Sequence, residues 1–192
     1  MQDGPGLFAA PEQVHSLFFA LCPDPGTAAA LVAARQALEQ GLAPERGGGV
    51  PPERLHLTLH WLGEWSQLPA ATVQAAVAAA ASQDQPGFEL LLDRADCFGH
   101  GEAVWVLRPS APPPELLGLH AGLGAALARQ RLRLPPGPPF APHVTLRRRA
   151  RQRLAAGPVP ALAWRVSHFE LLESVRGTGQ SGYRRLGQWP LG

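Results

Sequence analysis

The strongest constraint on this chain is a four-residue pattern that occurs twice. His56-Leu57-Thr58-Leu59 and His143-Val144-Thr145-Leu146 both read His-aliphatic-Thr-aliphatic, 87 residues apart. Chance matches in this composition number about 0.02. Two of the five threonines fall inside the pair. A repeat at that separation implies two pseudo-equivalent halves. Polar–aliphatic alternation is the pattern of a half-buried strand, where residues two apart share a face at a spacing of about 7 Å. Each motif therefore offers one imidazole and one hydroxyl on one face and anchors its strand through the aliphatic residues between them.

Side by side, two such strands line one cleft with two imidazoles and two hydroxyls. Imidazole is the side chain that takes or gives a proton near neutral pH. A threonine hydroxyl hydrogen-bonds a non-bridging phosphate oxygen. His56 and His143 are the expected acid–base pair, and Thr58 and Thr145 the expected phosphate ligands. A lone histidine would read as an ordinary core or surface residue; the duplication reverses that reading. Metal chemistry is not expected. His56 and His60 are four apart, which on a strand separates them by about 13 Å, too far to share an ion. No Asp flanks either motif.

The surrounding pattern mixes helices and strands, with several adjacent strands reading as hairpins, which favours an α+β class with mostly antiparallel sheets. Ser16 to Leu21, Leu55 to Leu62, Phe88 to Asp93, Ala103 to Leu107, Pro142 to Leu146, Trp164 to Val175 and Tyr183 to Trp189 read as strands. Asp24-Pro25 opens a helix carrying Leu31, Ala34, Leu38 and Leu42, with Gly41 near its end. Pro69 to Ala81 reads as a second helix, and Pro112 to Pro114 open a third with a Leu116, His120, Leu123, Leu127 stripe. Gly99 to Glu102 and Gly177 to Gly182 read as turns, and the segments around Gly47 and from Pro135 to Pro139 as loops. Residues 1–13 read as a flexible start, ahead of one domain over 14–192.

Composition removes several chemistries. The 17 basic residues are all Arg, with no Lys and a net charge of +2. That excludes a catalytic Lys, a Schiff base, a P-loop Lys and lysyl-adenylate ligation. Nucleic-acid contact must come from a local patch rather than bulk charge. Cys22 and Cys97 are too few for a disulfide framework or a Cys-based zinc site, and read as unlinked thiols. With no evident signal peptide or spanning segment, a cytoplasmic protein is expected, with no membrane contact.

The motifs and their flanks resemble the two-histidine phosphoesterases. More closely, the chain resembles the bacterial and archaeal RNA 2',3'-cyclic phosphodiesterases, also called 2'-5' RNA ligases. Leu17-Phe18-Phe19-Ala20-Leu21 resembles the first strand of that family. Glu53 to Leu59 with Leu62-Gly63-Glu64 resembles its first motif, and Phe140 to Leu146 with Arg148 its second. Leu171 to Ser174 and Tyr183 to Leu186 resemble its last strands. One departure is that His15-Ser16 stands where the family often has an Arg.

The resemblance implies a bilobal fold, two mostly antiparallel sheets related by a pseudo-twofold, helices outside and a central cleft. It implies hydrolysis of RNA 2',3'-cyclic phosphate ends to 2'-phosphates, with no metal or nucleotide cofactor, and a reverse ATP-independent 2'-5' joining reaction. His143 is expected as base and His56 as acid, with Arg148 beside Thr58 and Thr145 on the phosphate. Competing readings keep the site but change the substrate to a small nucleotide such as ADP-ribose 1",2"-cyclic phosphate, or keep RNA-end binding without turnover. A monomer is the default.

Weaker candidates follow from position. Ideal alternation puts Arg147 on the His143 face and Arg148 on the other, the opposite of what the resemblance implies; a bulge would settle it. The Arg147, Arg148, Arg149, Arg151 and Arg153 cluster is a candidate to track an RNA backbone. Phe19 is a candidate to stack on a terminal base. His60 is placed on the catalytic face, and Trp61 in the core with Leu57 and Leu59.

Overall fold

A computed structural model of the chain describes residues 13–40, 42–43, 48–99, 101–177 and 182–192. The expected start over 1–12, Gly41, the Gly47 position and most of the Gly177 to Gly182 turn lie outside the described residues. Among the described residues eight strands form one antiparallel sheet. They are β1 (Val14–Leu21), β2 (Leu57–Trp65), β3 (Phe88–Phe98), β4 (Ala103–Arg108), β5 (Val144–Ala150), β6 (Gly157–Val166), β7 (His168–Arg176) and β8 (Arg184–Pro190). Three α-helices join them: α1 (Pro25–Glu39), α2 (Ala70–Ala81) and α3 (Pro114–Arg129).

The strand order is β6-β3-β4-β5-β2-β1-β7-β8. It divides between β5 and β2, which share a single Cα pairing, Leu57 with Val144. The two expected sheets are therefore two four-stranded halves fused at one residue pair. The halves are related by a pseudo-twofold through that pair. β1-α1-β2 in one half matches β4-α3-β5 in the other, so the two motif strands occupy equivalent places. Each connecting helix packs under the opposite half: α1 lies against β5 and β6, and α3 against β2.

Local chemistry explains the helices. Asp24 caps α1 by accepting from the Gly26 and Thr27 amides at 2.8 and 3.0 Å, and Pro25 supplies a first-turn residue that needs no amide bond. All three helices bury their apolar stripes in one core on one face of the sheet. Leu31, Ala76, Leu116, Leu119, Leu123 and Leu127 meet Leu17, Phe19, Leu21 and Leu57 there. The opposite face carries only a small apolar cluster, Phe18, Ala20 and Leu172. No helix among the described residues covers it.

The strand Trp164 to Val175, expected as one, is two, β6 and β7, broken at Ser167. β6 begins earlier than its composition suggests, with Pro158 and Pro160 inside it. It is an edge strand, where a missing amide donor is tolerated.

The pairing of β1 with β2 skips one residue at Leu59 and another at Leu62. Each bulge reverses the alternation. Leu57, Leu59, His60 and Leu62 are buried, while Thr58 and Trp61 point the other way. Two expectations are corrected by this. Trp61 is 44% exposed rather than in the core, and His60 faces the helices rather than the cleft. His60 Nε2 hydrogen-bonds the His120 carbonyl at 2.8 Å, and the two rings stack at 4.1 Å. Phe19 is also corrected: it is fully buried against Phe169 and Trp189 and can reach no base.

Leu57 is fully buried at the seam between the halves. Leu57→Ala should cost about 2–5 kcal/mol by urea unfolding. The denaturant slope should stay unchanged, because the halves share one core and unfold together.

Candidate active site

His56 and His143 each immediately precede their strand, and Thr58 and Thr145 are each its second residue. Extending the antiparallel Leu57–Val144 register by one residue either way sets His56 opposite Thr145 and Thr58 opposite His143. All four share the face away from the helices. Spacing is about 5 Å across strands and about 7 Å along them, so the four groups bracket a space the size of one phosphoryl group.

Both imidazoles are held in the same way. His56 Nδ1–H donates to the Arg54 carbonyl at 2.8 Å, and His143 Nδ1–H to the Ala141 carbonyl at 2.7 Å. A carbonyl only accepts, so the proton sits on Nδ1 and leaves Nε2 free for chemistry. Aromatic rings fix the imidazole planes. Phe18 and Tyr183 lie 5.2 Å from His56, with Tyr183 edge-on, and Phe98 packs edge-on against His143 at 4.9 Å.

A cavity of about 310 Å³ opens beside His56. Thr145, Arg148, Arg149, Arg54 and Tyr183 line it, together with Gly48 to Pro51. The Arg54 guanidinium lies over the Tyr183 ring, 4.9 Å from its centroid. The Gly48 to Val50 segment is strapped to the free edge of β5 where β2 departs. Arg148 N donates to Gly48 O at 2.7 Å, and Val50 N to Leu146 O at 2.9 Å. Gly48 has φ +78°, and a Cβ there would lie 2.4 Å from the Arg148 carbonyl oxygen. Only glycine fits both constraints.

The conflict over the arginines is settled by a bulge. The β4–β5 pairing skips Leu146, so Arg147 turns toward the helices and Arg148 into the cavity. Arg147 is corrected accordingly: it is 5% exposed, bonded to Glu39 at 2.7 Å, with its guanidinium over Trp105. The basic cluster is not one surface. Arg148 and Arg149 line the cavity, while Arg153 donates to the Gly99 carbonyl.

Sequence reasoning missed Arg54, Tyr183, Phe18, Phe98 and the Gly48 strap. Phe18 was legible in principle, because a core-facing Leu17, Phe19 and Leu21 forces it to the open face. Tyr183 and Phe98 depend on topology, which no local pattern carries. Among the described residues, no group of three or more His, Cys, Asp or Glu is arranged to hold a metal ion. No helix among them is long and apolar enough to cross a membrane.

Burial pushes the His56 imidazole down to about 4, the Arg148, His143 and Arg54 charges lower it further, and its carbonyl bond opposes them. Burial also lowers His143, opposed by the Ala141 carbonyl and assisted by Arg148. Both rings are therefore neutral at pH 7 in the free protein.

A model of the 2'-5' RNA ligase superfamily matches residues 23–178. The chain belongs to that superfamily. It is 36% identical over 150 residues to RNA 2',3'-cyclic phosphodiesterase of Escherichia coli K12, covering 77% of this chain and 82% of that one. The crystal structure of E. coli LigT complexed with 3'-AMP superposes with a TM-score of 0.78 at 31% identity, over 93% of this chain and 98% of the other. The crystal structure of TT0787 from Thermus thermophilus matches at 0.71 and 28% identity, over 92% and 97%. The α+β fold is thus that of the family.

Neutral histidines also set the pH response of the fold. The unfolded chain takes up protons near pH 6.5, whereas folded His56 and His120 resist to about 4 and His60 and His143 are also lowered. The unfolded state binds more protons in that window, so stability should fall as pH drops from about 6.5 toward 4. Urea midpoints across pH 7 to 4 measure this. Arg148→Gln removes a positive charge that lowers both motif imidazoles, so NMR titration should find His56 and His143 moved upward.

Proposed function

We propose that this chain is a metal-independent RNA 2',3'-cyclic phosphodiesterase that opens the ring to leave a 2'-phosphate. The observation that carries the reading is the seam itself: two carbonyl-oriented imidazoles, each opposite the threonine of the other motif, on the one uncovered face of the sheet. Similarity to the E. coli enzyme supports the substrate class.

The cyclic phosphate sits between the motifs. Thr58 and Thr145 donate to its non-bridging oxygens, and Arg148 balances its charge. His143 Nε2 takes a proton from water as the water oxygen bonds to phosphorus. The P–O3' bond breaks, and His56 Nε2–H protonates O3'. The differing environments suit this order. The His143–Ala141 bond is solvent-exposed and the His56–Arg54 bond partly buried, so His143 meets the incoming water. The more depressed His56 is the stronger acid once protonated. The anionic substrate offsets the Arg148 charge and lets His56 hold its proton. With a 5'-hydroxyl in place of water, the same ring opening forms a 2'-5' bond without ATP: His143 takes the hydroxyl proton, the P–O3' bond breaks, and the strained ring supplies the driving force.

Cys22 and Cys97 are both free, which suits a cytoplasmic setting. Burial raises the Cys22 thiol well above its ordinary range, with Glu170 adding to the shift, so it is unreactive. We place the activity in a single chain, since each half supplies one complete motif.

His56→Ala or His143→Ala should lower turnover of a dinucleotide 2',3'-cyclic phosphate by ~10² or more, and EDTA should have no effect. Phosphorus NMR should show a 2'-phosphate product. Near-normal turnover by both variants would overturn the proposal. For wild type, kcat/KM reports the free-protein imidazoles, and both are lowered, so its decline with rising pH should set in below the ordinary imidazole value of about 6.5.

A further inference from the structure

The double bulge in β2 leaves one large aromatic side chain unaccounted for. The skips at Leu59 and Leu62 turn Trp61 onto the same face as Thr58 and away from the core that holds Leu59, His60 and Leu62. Without the first bulge Trp61 would be buried with Leu57. Trp61 is 44% exposed, and no other aromatic ring packs against it among the described residues. It is nevertheless fixed, because its indole N–H donates to Ser16 Oγ at 3.0 Å. Across the sheet Trp61 pairs with Phe18, the ring that packs on His56. The open face therefore carries Phe18, His56 and Tyr183 in mutual ring contact, with Trp61 on the residue paired with Phe18.

An exposed, hydrogen-bonded indole on the same face as the candidate phosphate residues is a stacking platform for a base. Its location decides which base. The cavity that contains His56, Arg148 and Tyr183 suits the terminal nucleoside, whose phosphate must reach the histidines. Trp61 does not line that cavity. It lies three residues past Thr58 along β2, on the residue paired with Phe18. We propose that Trp61 is a second base subsite, stacking the nucleotide immediately 5' of the one that carries the cyclic phosphate. The inference rests on the phosphodiesterase reading and sharpens it. A chain built for RNA ends holds two nucleotides, whereas one built for free cyclic mononucleotides has no use for a stacking ring outside the cavity of the terminal nucleoside. Sequence specificity is not expected, because every base presents a face to stack.

The test compares two substrates on one variant. Trp61→Ala should lower kcat/KM for a trinucleotide 2',3'-cyclic phosphate by roughly 5- to 100-fold, the range for loss of one stacked base. It should leave kcat/KM for a cyclic mononucleotide within about twofold of wild type, since that substrate stops short of the ring. Trp61→Phe keeps a stacking face without the indole N–H and should recover most of the trinucleotide rate. Equal losses on both substrates would overturn the subsite in favour of a structural role, and an unchanged trinucleotide rate would overturn it outright. Lack of turnover of either substrate by the wild-type chain would instead refute the phosphodiesterase reading on which the subsite rests.

Discussion

The pairing of Leu57 with Val144 is where the two halves of the sheet meet, and the site follows from it. Both residues are fully buried, so the register is fixed by burial rather than by a long ladder of hydrogen bonds. An antiparallel pair at that point places each histidine across from the other motif's threonine. A slip of one residue would turn one motif to the opposite face and bury its imidazole among leucines. Burial at the seam thus protects the geometry of the chemistry beside it. The helices reinforce this by crossing, since α1 lies under the half that holds β5 and α3 under β2. Neither half can shift without disturbing a helix tethered to the other.

Because only one pair is formed, β2 and β5 separate beyond it and a notch opens. The Gly48 to Val50 strap occupies the β5 side of that notch and binds the backbone of Leu146 and Arg148. It leaves one wall of the cavity made of backbone, and it holds Arg148 at a residue where the strand has just bulged. On the buried side of the same strand, Arg147 is anchored by Glu39 and Trp105. Two adjacent arginines thus point opposite ways, one holding the helix to the sheet and one lining the cavity.

The duplicated motif was legible because its period and its chemistry agree: alternation gave the strand, and the polar members gave the site. Helix positions were legible from caps and apolar spacing, Asp24-Pro25 above all. The bulges were not. Leu59, Leu62 and Leu146 look like ordinary alternating residues, and what displaces them is the register of β1 and β4, which a local window does not contain. That single omission explains why alternation puts His60, Trp61 and Arg147 each on the wrong face. Phe19 fails for a simpler reason: aromatic character alone does not distinguish a core ring from a stacking one, and its strand partners decide.

Charge acts on this site locally rather than in bulk. A net charge of +2 from 17 arginines and no lysine describes a weakly basic chain. Arg54, Arg148 and Arg149 nevertheless all line one cavity of about 310 Å³. Their effect is felt first by the histidines. Burial sets the His56 imidazole low, and the Arg148 and Arg54 charges lower it further, so the free site is ready to accept an anion but holds no acid. On the proposed mechanism a bound phosphate offsets the arginine share of that shift, while burial continues to lower His56. In that proposal substrate binding and proton uptake by His56 are coupled, so the proton is gained when there is a leaving oxygen to receive it.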